Sequence, residues 1–168
     1  ALYTTDYMIV SAQGTAPGFN IISAGNAFGN RGVFKATRSR GTLASPTVPQ
    51  LNDYTFSLLG AIYDGTTNFA TAMINMEVDG SVSTNVTPQR ISFWTGTGSV
   101  SGNVNRKERM RITSDGLVGI GLTGPSYTLE VAGTVSTTGF RMTNGAQANY
   151  IMISDSSGNA SWTASVPG

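Results

Sequence analysis

Between Met73 and Val78 the chain sets Ile74, Met76 and Val78 on one side of an alternation and Met73, Asn75 and Glu77 on the other, then stops at Asp79-Gly80. A period of two that runs into a turn dipeptide is the pattern of a β-strand entering a reversal. It recurs twice. Ile91 and Phe93 alternate with Ser92 and Trp94, and Met110 and Ile112 alternate with Arg109 and Arg111 before Asp115-Gly116. Elsewhere the apolar runs are short and are cut by glycine or proline, which leaves no stretch for an amphipathic helix. Ser and Thr make up about a quarter of the 168 residues and Gly adds 21. These residues weaken helical hydrogen bonding, whereas Thr, Val, Ile and the aromatics suit a pleated surface. The expected fold class is all-β.

Short strands are expected at Tyr7–Val10, Phe19–Ile22 and Val33–Phe34, separated by glycine-rich breaks. Between Arg40 and Asp53 the prolines Pro46 and Pro49 remove ladder donors, which predicts an ordered loop, and Gly96 to Asn105 reads as another. From Ser114 the strands become thin: Leu117-Val118, Ile120, Leu129–Val131, Thr134-Val135 and Phe140–Met142. One copy of such text cannot bury a core. Three copies wound about an axis can, because equivalent residues then pack together. The expected organisation is therefore an intertwined homotrimer. Residues 1–113 form a β-sandwich-like domain, and residues 114–168 form a narrow β-prism or triple-β shaft whose last residues, from Ala164, are a linker. Met110, Ile112, Val118, Ile120, Leu129 and Val131 are the candidates for its core. A short echo, Ile112–Gly116 against Ile153–Gly158, hints at a repeated strand-to-turn unit.

Composition narrows the function classes. Charged residues are 11% of the chain and the net charge is +1, too little for the electrostatic footprint of nucleic acid or anionic lipid binding. No apolar stretch approaches the roughly 18 residues of a membrane helix, and Ala1–Asp6 lacks the charged and apolar regions of a leader, so no membrane insertion is expected. There is no Cys and no His, which removes disulfides, thiolate ligands, imidazole metal sites and His-dependent nucleophilic catalysis. No cofactor or metal is expected.

Several motifs have a bland reading beside a chemical one. Gly119–Gly124 fits G-x-G-x-x-G, but Pro125 and the β-like Tyr127–Val131 follow where a dinucleotide site needs a helix; close backbone approach at a symmetry axis suits these glycines better. Glu77 and Asp79 share one strand face and could serve as a glycosidase pair, or simply be a solvated face ending in an Asp-Gly turn. Asp155–Asn159 offers oxygen ligands but lacks the further acids of a calcium loop, so a turn is expected. Arg31, Lys35, Arg38 and Arg40, and Lys107, Arg109 and Arg111, suggest phosphate or polysaccharide contact, or else solvated faces or inter-chain pairing to Glu108. Tyr54, Tyr63, Phe69 and Trp94 are the candidate sugar-stacking aromatics of the larger domain.

The run Glu108–Gly121, ERMRITSDGLVGIG, followed by Pro125 and Thr128-Leu129-Glu130-Val131-Ala132-Gly133, resembles a segment recurrent in tail fibre and tail spike proteins of bacteriophages and some large viruses. The text upstream, Lys35–Thr42 with Tyr63–Thr66 and Glu77–Gly80, and downstream, Asn144–Ala146 through Trp162, is similar to what flanks that segment. The resemblance implies a homotrimeric structural fibre of the virion, extracellular, concerned with host attachment and joined to other tail proteins. It implies a host-cell surface glycan or receptor as partner, and it carries no catalytic residue. Such fibres often end in an endosialidase-type intramolecular chaperone, no part of which is recognised in this sequence. Two rivals are a bacterial trimeric surface adhesin, which would normally carry coiled-coil heptads, and a polysaccharide depolymerase using Glu77 and Asp79.

Overall fold

The computed structural model describes residues 33–100 and 103–164. The strands expected at Tyr7–Val10 and Phe19–Ile22, Arg31, and the linker residues 165–168 lie outside the described residues. Ten strands follow in chain order: β1 (Arg40–Gly41), β2 (Pro46–Thr47), β3 (Tyr54–Tyr63), β4 (Asn68–Val78), β5 (Gln89–Val100), β6 (Asn103–Ile112), β7 (Val118–Ile120), β8 (Leu129–Val131), β9 (Tyr150–Ser154) and β10 (Ala160–Ala164). The fold is all-β, with no helix among the described residues, and so none long and apolar enough to cross a membrane.

Strands β3 to β8 lie side by side in sequence order as one open six-stranded sheet, with β3 and β8 at its edges. The pairings from β3 to β7 are all antiparallel, as short reversals between consecutive strands require. The β3–β4 reversal is set by Asp64, whose carboxylate accepts from the amides of Thr66 and Thr67 at 2.8 and 2.9 Å, an Asx turn. The sheet continues past the composition shift at Thr113: Ile112 faces Val118 and Met110 faces Ile120 across β6–β7. By compactness the chain divides later, after Glu130.

Register sorts the sheet into two chemically distinct faces. Directly opposed residues share a face. One row runs Phe56, Met76, Ile91, Ile112, Val118, and the next runs Leu58, Ile74, Phe93, Met110, Ile120. Both rows cross five strands without a polar residue. The other face carries Ser57, Asn75, Ser92 and Arg111 in one row and Tyr54, Glu77 and Arg90 in another. A bulge between Phe93 and Trp94 keeps Trp94 opposite Glu108 on this polar face.

Burial runs opposite to the usual order. Asn75 and Ser92 have no exposed surface and Glu77 only 3%, whereas Leu58, Ile74, Met76 and Ile120 on the apolar face keep between 37% and 56%. Besides Pro125, Met73 and Val78 are the only buried apolar side chains among the described residues.

Some expected elements differ. Gly96 to Asn105 belongs mostly to strands, because β5 and β6 extend through it as a hairpin arm. Gly96 makes this possible: a Cβ there would fall on the Asn105 carbonyl of the partner strand. The expected loop between Arg40 and Asp53 contains the two-residue ribbon β1–β2, with Pro46 opposite Gly41. Val33-Phe34, Thr134-Val135 and Phe140–Met142 form no strand. A strand needs a neighbouring strand for its amides, and Thr134-Val135 and Phe140–Met142 pair with no strand among the described residues. Phe34 instead sets its ring 5.3 Å from that of Phe56.

In the second unit, β9 and β10 form a hairpin in which Met152 faces Trp162. The Trp162 indole N–H donates to the Met142 carbonyl at 2.8 Å and so ties the preceding segment to the hairpin. The β9–β10 turn and the β6–β7 turn have one hydrogen-bond scheme. Asp155 N bonds Asn159 O at 2.9 Å and Gly158 N bonds Asp155 O at 3.1 Å; Thr113 N bonds Leu117 O at 2.9 Å and Gly116 N bonds Thr113 O at 3.0 Å. Gly158 and Gly116 have φ of 84° and 81°, the left-handed region that glycine enters without steric cost. The echo at Ile112–Gly116 and Ile153–Gly158 is thus a shared turn geometry.

Candidate functional site

The polar face is organised around Arg90. Its Nη2 donates to Glu77 Oε2 at 2.5 Å and to Asn52 Oδ1 at 2.8 Å, and its Nη1 to Asp79 Oδ1 at 3.1 Å. Ser92 Oγ donates to the other Glu77 oxygen, and Trp94 Nε1 donates to Ser92 Oγ at 2.8 Å. Alternation of β4 and β5 brings these groups to one side, and Asn52 joins them from a left-handed turn at φ 69°. Arg90 Nε and Asn75 Oδ1 are buried without a hydrogen-bond partner. Beside this cluster Arg111 grips Glu108 with two parallel bonds, at 2.5 and 2.7 Å, the fork geometry that makes guanidinium–carboxylate pairs directional.

An open cleft of about 560 Å³ lies over these pairs and is also lined by Tyr54 and Trp94. Two of the four candidate aromatics therefore meet. The other two do not join them: Tyr63 is exposed at the β3–β4 reversal with its hydroxyl on the Gly65 carbonyl at 2.7 Å, and Phe69 faces Ile62 across the same strands. Of the core candidates, Met110, Ile112, Val118 and Ile120 end the two apolar rows, while Leu129 is exposed and Val131 half-buried in β8.

Glu77 and Asp79 do sit together, but as acceptors. Glu77 is engaged by Arg90 and Ser92, and Asp79 by Arg90 and by the Ser114 amide at 2.7 Å. The Asp155 carboxylate is likewise occupied by the Ser157 and Asn159 amides and the Asn159 side chain, each at 2.9 Å. Arg40 forms a bidentate pair with Asp53, at 2.7 and 2.8 Å, anchoring the β1 ribbon to the start of β3. At the G-x-G-x-x-G string the close approach is to the chain's own loop, since a Cβ on Gly119 would lie 2.8 Å from the Leu122 carbonyl oxygen. Strand β7 runs into this loop with no helix after it.

Four aspartates titrate below their ordinary value of 3.8. The Arg40 hydrogen bonds lower Asp53, the Thr67 amide lowers Asp64, and the Asn159 side chain lowers Asp155. For Asp79 burial pushes upward, and the Ser114 amide and Arg90 outweigh it. Glu108 raises the already high value of Arg111. Depressed carboxylates stabilise the fold fully above their unfolded value and lose that stabilisation as pH falls through the folded one. No histidine is present to titrate between about pH 5 and 8. Calorimetry is therefore expected to show a melting temperature level from about pH 8 to 5 and falling below about pH 4. A decline already complete at pH 5 would contradict these assignments.

Sequence reasoning paired Glu77 with Asp79 and missed Arg90 as their shared partner. The signal was present, since Arg90 and Ser92 occupy the polar phase of the Ile91/Phe93 alternation. Phe56 and Leu58, which extend both apolar rows to β3, alternate in the same readable way. No family model matches the chain, and no curated protein matches it.

Proposed function

We propose that this chain is a structural segment of a homotrimeric virion tail fibre that contributes to host-cell attachment through a surface glycan. The observation that carries the reading is the pair of apolar rows from Phe56 and Leu58 to Val118 and Ile120, left half-exposed on an open sheet. An exposed contiguous apolar patch of this kind marks an interaction surface. Two buried hydrophobic side chains among the described residues are a poor core for a sheet of six strands, so the missing layer has to come from elsewhere. Three copies facing a common axis supply it: each sheet becomes one wall of a β-prism, and the sandwich packing forms between chains. The resemblance of Glu108–Gly133 to fibre segments supports the same arrangement and its place on the virion.

In this arrangement the cleft beside Tyr54 and Trp94 lies on the face turned away from the axis. Light scattering combined with sedimentation velocity tests the assembly, with a stable mass of three chains as the expected result; a monomer at micromolar concentration would remove the basis of the reading. Attachment is tested separately by binding of the fluorescent trimer to host cells before and after enzymatic removal of surface glycans. Loss of binding after removal is expected, and undiminished binding would rule out a glycan receptor.

A further inference from the structure

Resting on the glycan reading above, we infer that the cleft over the Glu77–Arg90 and Glu108–Arg111 pairs is the saccharide subsite, and that it selects sugars bearing an anionic group. Tyr54 is 52% exposed at the cleft and Trp94 half-buried, so apolar ring surface is available beside fixed hydrogen-bonding groups. A sugar ring needs both: its C–H face packs on an aromatic ring, and its hydroxyls bridge donors and acceptors. Bidentate guanidinium–carboxylate pairing holds Arg111 and Glu108 in place before a ligand arrives, which reduces the ordering cost of binding.

Charge sets the preference. Four cationic and two acidic side chains line the cleft. Arg90 is matched by Glu77 and Asp79 and Arg111 by Glu108, whereas Arg106 and Lys107 make no ion pair among the described residues. Arg106 is held by a bond from its Nη1 to the Ala70 carbonyl at 2.9 Å, which leaves its charge unneutralised. A carboxylate or phosphate on the sugar supplies the missing negative charge, and a guanidinium suits either group. The apolar rows lie on the opposite face of the same sheet, so packing of copies through those rows leaves this cleft open.

The test is an array of neutral, uronic-acid, sialic-acid and sugar-phosphate oligosaccharides probed with the intact assembly and with two variants, Lys107→Gln and Arg106→Gln/Lys107→Gln. Solution mass and melting temperature are checked alongside, so that loss of fold is not mistaken for loss of binding. The wild type is expected to retain acidic members over neutral ones, in a salt-sensitive manner, with the double variant weakened about tenfold. The carboxylate and phosphate members separate the two sources of charge. Equal retention of neutral members, or unchanged acidic binding by a folded double variant, overturns the inference and leaves glycan attachment standing. Retention of no saccharide by the assembled wild type overturns both.

Discussion

Under the trimer proposed above, replacing Ile120 by Asp is expected to leave single chains in solution. In one chain Ile120 is 40% exposed and ends a row through Met110, Phe93, Ile74 and Leu58, so an aspartate there meets water and little strain. In a trimer packed through that face the same change buries three carboxylates without counter-charges, a cost of several kcal/mol each. Light scattering reads the outcome directly. The control is Leu43→Asp, at a loop position 85% exposed and outside the sheet, which should leave the mass unchanged. An Ile120→Asp protein that still weighs three chains and melts as before would show that the apolar rows are not the assembly surface.

Arg90→Met is expected to destabilise the sheet by about 3–5 kcal/mol, because Glu77 keeps its buried charge and loses its partner. Arg90 is 6% exposed and also serves Asp79 and Asn52, so the loosening reaches the turn before β3 and the end of β4. The companion Arg90→Met/Glu77→Gln removes both charges and should recover a large part of the loss, since a buried pair often contributes little beyond what an apolar replacement can. Urea denaturation of the two variants measures the coupling. Equal instability of single and double variants would mean that the packing of the Arg90 side chain, and not its charge, is what the fold requires.

The strands with regular alternation were legible before any coordinates. Met73–Val78, Ile91–Trp94 and Arg109–Ile112 each carry a period of two, and the first and last run into an Asp-Gly turn. The β3 strand, Tyr54–Tyr63, was harder to see because a bulge between Tyr54 and Phe56 leaves only Phe56–Leu58 in clean apolar–polar alternation. Gly96–Asn105 misled because glycine is read as a breaker, while here it serves the close pairing of two strands. Thr134-Val135 and Phe140–Met142 carry suitable residues but no neighbour, and pairing is non-local information that a short run does not contain. The candidate site was half visible: Tyr54, Trp94 and Glu77 could be named, but the placing of Tyr54 depends on the bulge in β3 and that of Glu108 on the bulge in β6, each of which shifts a side chain by one face and leaves no composition signal.

The edge strand β3 bears on how the chain reaches its folded form. Its ten residues, YTFSLLGAIY, include neither a charge nor a proline, and Leu58, Leu59 and Ile62 stand exposed along it. Charges, prolines and covering loops are the usual guards against a foreign strand adding to an open edge. With neither a charge nor a proline along β3, correct association competes in time with indiscriminate strand addition, and the competition worsens as newly made chains accumulate. Yield of soluble protein is thus a kinetic quantity for this chain, governed by how soon β3 is covered after synthesis rather than by the depth of the final free-energy minimum.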